Sequence, residues 1–127
     1  MKSIEVFINF MIMDANRNIL RSDASTVTPE QAQRMSAFWG DDSWRDVAYR
    51  SQPGLFGDMT EKAPNKVVVA AYRRRLQEVA GFAHVPEPLC MPNTKGVAIY
   101  YLFFASPNAT GAKIARHIFD KYRRSTA

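Results

Sequence analysis

The run Gly96-Val97-Ala98-Ile99-Tyr100-Tyr101-Leu102-Phe103-Phe104-Ala105 constrains this chain more than any other stretch. Side chains alternate along a strand. Read that way, Val97, Ile99, Tyr101 and Phe103 share one face, and Ala98, Tyr100, Leu102 and Phe104 share the other. Neither face is polar, so a strand over 96–105 needs packed layers above and below it. Ile4 to Phe10 is β-branched and aromatic, and apolar character continues through Met13, so 4–10 is expected to be a second strand buried on both faces.

The segment Phe82 to Met91 carries Pro86 and Pro88. Residues two apart send their amides to the same side, so these prolines remove donors from one side only. That is tolerated at an edge and poorly in a sheet interior. A strand over 83–91 therefore belongs at an edge. Pro92-Asn93-Thr94-Lys95 turns the chain back, giving an antiparallel hairpin with 96–105, which then lies between 83–91 and 4–10. A buried strand so close to the first residue leads us to expect that part of the sheet lies elsewhere.

Four helices are expected. Near 29–38, Thr28 caps, Pro29 suits the first position and Gln31 completes a capping box, with Ala32, Met35 and Phe38 inward. Asp41 and Asp42 open a short helix over 42–49. Over 65–80, Val68, Tyr72, Leu76 and Val79 form the apolar stripe and Gly81 stops it. Over 110–123, Asn108 or Thr110 caps, and Ile114, Ile118 and Tyr122 form the apolar stripe with Ala115 and Phe119 beside it. Ser51 to Asn65 reads as a loop with one helical turn at Leu55-Phe56. The fold class is α/β, one partial domain over residues 1–127.

With 127 residues, 46% of them hydrophobic, the chain can build one real core. No run of about twenty apolar residues is present, so no membrane span is expected. The first residues carry no cleavage site of small side chains, and Cys90 stands alone, which together favour a cytoplasmic setting. His84 and His117 are the only histidines, and Asp41 and Asp42 have no third ligand near them in sequence, so no metal site is expected.

Two sets of residues are candidates for binding. Asn9, Asp14, Asn16 and Arg17 cluster at the carboxyl end of the first strand, where open α/β sheets bind ligands. The same residues also read as a turn or helix start, with Asp14 as cap and Arg17 as ion-pair partner. A net charge of +5 permits a nucleic-acid partner, with Arg73, Arg74, Arg75, Lys113, Arg116, Lys121, Arg123 and Arg124 as contacts. Against that, three consecutive arginines spread around a helix, and cations near a helix C-terminus suit its dipole.

The order of elements looks like the carboxyl half of a Rossmann-type methyltransferase sheet, in which the last strand runs antiparallel between its predecessor and the rest. The wording is closer still to one family. EVFINFM, RMSAFWGDDSWR, AYRRRL, VPEPLCMPN and YYLFFASPNATGAKIARHIFDKYRR together resemble the three-Cys-motif partner proteins, TcmP, over nearly the whole chain, and 96–124 is the most specific block. The resemblance implies the later half of a longer fold whose earlier half carries a glycine-containing loop. This chain has no GxGxxG-like loop after its first strand. S-adenosylmethionine is accordingly expected only if an upstream segment supplies that loop. The resemblance further implies a three-Cys-motif protein as partner. Separately, an apolar edge at 4–10 with no neighbour on its far side invites pairing, so a second copy or a missing N-terminal half is also expected as a way to complete the sheet. The leading reading is a non-catalytic partner. A methyltransferase-like remnant or subunit and a basic nucleic-acid-binding accessory protein remain as alternatives.

Overall fold

The computed structural model describes residues 4–21, 26–54 and 57–126. It is mixed α/β. Its elements are β1 (Val6–Phe10), α1 (Ile12–Asn18), α2 (Pro29–Trp39), α3 (Trp44–Ala48), β2 (Tyr49–Gly54), β3 (Gly57–Lys62), α4 (Asn65–Glu78), β4 (Leu89–Pro92), β5 (Ala98–Ala105) and α5 (Ala109–Thr126). The chain divides into two compact units, residues 1–12 with 72–127, and residues 13–71.

The first unit holds a three-stranded sheet of order β1-β5-β4. The central run of the sequence is its central strand. Both neighbours pair antiparallel to it, Ile8 opposite Phe103 and Cys90 opposite Tyr101. The turn before β5 is set by Asn93, whose Oδ1 accepts from the amides of Lys95 and Val97 at 2.9 and 3.0 Å, and by Gly96 at φ 82°. That value lies in the left-handed region, where a side chain would be strained.

The proline-bearing arm does lie at an edge, but it pairs over only 89–92, with an isolated bridge between His84 and Ser106. Residues 85–88 leave the ladder, and two helices supply donors to their carbonyls. Arg73 Nε on α4 donates to the Val85 carbonyl at 2.9 Å. Arg123 on α5 donates to the carbonyls of Glu87 and Pro88 at 2.6 and 3.0 Å.

Layers cover the two faces of β5 unequally. On one face Phe103, Phe10 and Tyr72 meet edge-on or tilted, with the Tyr72 ring 5.4 Å from Phe10 and 5.2 Å from Phe103. On the other, Leu89, Phe104, Ala115 and Phe119 form a buried cluster edged by Leu102 and Met91. The expectation that 4–10 and 96–105 are buried throughout does not hold. Only Phe103, Phe104 and Ala105 are fully buried along β5, and Ile4, Phe7 and Met11 are exposed. The reason is placement: α5 lies over β4 and β5, which leaves the α5-facing side of β1 uncovered. Val79 is likewise exposed rather than part of the α4 stripe, since the helix ends at Glu78 before it.

α5 starts where sequence placed it. Asn108 caps it, its Oδ1 accepting from the Thr110 amide at 2.8 Å. The buried Ser106 hydroxyl donates to Glu5 Oε2 at 2.6 Å, so the Glu5 carboxylate sits at this N-terminus, where the helix dipole favours it. Gly111 abuts that carboxylate, and a Cβ there would collide with it.

In the second unit, α2 has the expected capping box: the Gln31 amide donates to Thr28 Oγ1 at 3.2 Å and the Thr28 amide to Gln31 Oε1 at 3.0 Å. Trp39 and Trp44 are packing residues. Their indole N–H groups donate to Ser43 and Ser36 hydroxyls at 3.0 and 2.9 Å, and Ser36 donates on to Asp42 at 2.5 Å. Two elements here were not expected. Tyr49–Gly54 and Gly57–Lys62 form an antiparallel ribbon in the stretch read as a loop. A two-stranded ribbon leaves one side of each strand open, which accommodates Pro53. The helical turn expected at Leu55-Phe56 lies outside the described residues. The polar stretch after β1 is the helix α1, with Ile12, Ala15 and Ile19 buried at helical spacing.

Candidate partner-binding surface

α5 explains where the exposed apolar surface comes from. At about 100° per residue, its apolar side chains fall into two rows. Ala112, Ala115 and Phe119 face the sheet and are buried. Ile114, Ile118 and Tyr122 face outward, 58%, 46% and 53% exposed. This corrects the sequence expectation, which made the second row the packing stripe and put Ala115 and Phe119 beside it. Ala115 and Phe119 reach Phe104 and Leu89, and Ile114 reaches no part of that cluster.

Between α5 and the sheet, along the outward row, runs a groove of about 310 Å³. Ile118, Tyr122 and Ala115 form its helix wall, Tyr100, Leu102 and Met91 its floor, and Phe7 of β1 its far side. Phe7 leans on Phe104, with ring centroids 4.8 Å apart, and is still 64% exposed. An exposed apolar band of this kind on a small chain marks an interaction surface more often than chance exposure does.

The edge of β1 continues the band. Among the described residues its one strand neighbour is β5. Natural edge strands are blunted by prolines, lysines or bulges. β4, at the other edge, follows Pro86 and Pro88, ends at Pro92 and has a bulge between Met91 and Pro92. β1 reads Val-Phe-Ile-Asn-Phe and has neither proline nor charge.

Of the expected ligand-site residues, Asn9 alone belongs to this unit. It is exposed on β1, opposite Leu102, on the same face as Phe7. Asp14, Asn16 and Arg17 lie on α1 and take separate partners. Asp14 accepts from Asn18 at 2.7 Å, Asn16 Nδ2 donates to Asn65 at 2.9 Å, and the Arg17 carbonyl accepts from Arg21 at 2.9 Å. Asn16 Oδ1 is buried with no partner among the described residues.

Of the expected basic contacts, Arg73 and Arg123 are tied to the 85–88 carbonyls, and Arg123 also pairs with Asp120 at 2.6 Å. Arg75 is half-buried, and its charge partly offsets the rise that burial gives the Tyr72 hydroxyl pKa. Arg74, Lys113, Arg116, Lys121 and Arg124 are exposed. The last four lie along α5 in an arc of about 140° that adjoins the outward apolar row on the side away from the groove.

Tyr101 and Cys90 face each other across the β4–β5 ladder, and burial first, then the thiol beside it, raise the Tyr101 pKa. No cluster of three metal-ligating side chains occurs among the described residues, and no described helix is long and apolar enough to cross a membrane. The groove residues Phe7, Met91 and Tyr100 were not singled out from sequence. One signal was available: α5 is apolar over an arc of about 160°, wider than the roughly 100° that one packed face requires. Set against protein-family models, curated proteins and solved structures, the chain matches none.

Proposed function

We propose that this chain is a non-catalytic partner module that works in the cytoplasm by docking another protein, as the likeness to three-Cys-motif partner proteins implies. The observation that carries this is the contrast between the sheet edges. β4 is guarded by prolines, while β1 is unguarded and runs into the exposed band of Phe7, Ile114, Ile118 and Tyr122. A surface of that composition lowers its free energy by being covered. We read the sheet as the carboxyl half of a Rossmann-type sheet. In support, β1 and β4 run in the same direction with β5 reversed between them. On this reading, β1 is where the sheet continues, into a strand of the partner, of a second copy or of an upstream segment.

The test is co-expression with a three-Cys-motif protein, followed by size-exclusion chromatography. Co-elution of wild type, and its loss when Phe7→Lys interrupts the band, is expected. A folded wild-type chain that stays separate contradicts the proposal. The same preparation titrated with S-adenosylmethionine in a calorimeter separates the methyltransferase-like reading, which requires heat of binding, from the partner reading, which requires none.

The exposed basic arc of α5 favours a second reading, a nucleic-acid-binding accessory. It requires retention on DNA or RNA that weakens steeply with salt. Absence of retention at low salt removes it.

A further inference from the structure

We draw no further inference here: the strongest candidate, the apolar groove between α5 and the sheet, carries none, because the exposed cations of α5 point away from it and nothing in the structure shows what covers it.

Discussion

The two apolar rows of α5 have nearly the same spacing and opposite fates. Ala112, Ala115 and Phe119 are buried, the last two in the cluster with Phe104 and Leu89, and Arg123, one turn on, extends that row into hydrogen bonds with the Glu87 and Pro88 carbonyls. Ile114, Ile118 and Tyr122 have the larger apolar side chains on average and stand about half exposed. Side-chain size would put the second row inside. What decides is where the helix can sit. The Glu5–Ser106 contact and the Asn108 cap fix its first turn, and Arg123 holds its later part over the 85–88 segment. Once both ends are tied, the helix turns its small residues to the sheet, where Ala112 and Ala115 allow close approach. The bulky row is left facing outward. Periodicity identifies a face that needs cover without naming what covers it.

The sharpest way to break this comparison is to truncate one residue from each row. Phe119→Ala removes a 2% exposed ring from the Leu89–Phe104 cluster and should cost about 3–5 kcal/mol in urea unfolding. Ile118→Ala, at the neighbouring position, should change stability by less than about 0.5 kcal/mol. Equal losses would mean that the outward row is covered within the chain.

Next in size is the polar end of the covered row. Arg123→Ala removes donors from the Glu87 and Pro88 carbonyls and should cost about 1–2 kcal/mol, chiefly through those bonds. The Asp120 pair at the surface adds little. Arg124→Ala, one residue on and exposed, should be close to neutral in the same unfolding measurement.

The smallest effect is a pH dependence that appears only in alkaline solution. Burial raises the Tyr72 pKa above its ordinary 10.0, with Arg75 pulling the other way, and burial and Cys90 raise that of Tyr101. Above pH 10 the unfolded chain releases these protons before the folded one, so the folded state binds more protons and stability falls with rising pH. Below pH 10 the contribution is fully present. Thermal unfolding followed from pH 9 to 11 should show Tm falling more steeply in wild type than in Tyr72→Phe.

Much of the sheet was legible in sequence because its signals are local and strong. Two prolines at alternate positions put 83–91 at an edge, and a strand apolar on both faces had to be central. The capping box of α2 and the Asn108 cap were readable for the same reason, since each depends on residues three or fewer apart. The length of β4 was not, because it depends on Arg73 and Arg123 reaching 85–88 from distant helices. The ribbon of β2 and β3 was hidden by Pro53, Gly54 and Gly57, which punctuate a loop and a tight hairpin alike. α1 was hidden by Asp14, Asn16 and Arg17, whose polarity drew attention from Ile12, Ala15 and Ile19 at helical spacing. On the surface, the basic face of α5 was legible and the groove was not, since a groove depends on which apolar row the helix turns inward.

Isoleucine methyl NMR tests the central claim most directly. With δ1-methyl labels, the chain is titrated with a three-Cys-motif protein. The account predicts that Ile114 and Ile118 signals move while those of buried Ile12 and Ile19 hold still. A complex that forms with Ile114 and Ile118 unmoved would contradict it.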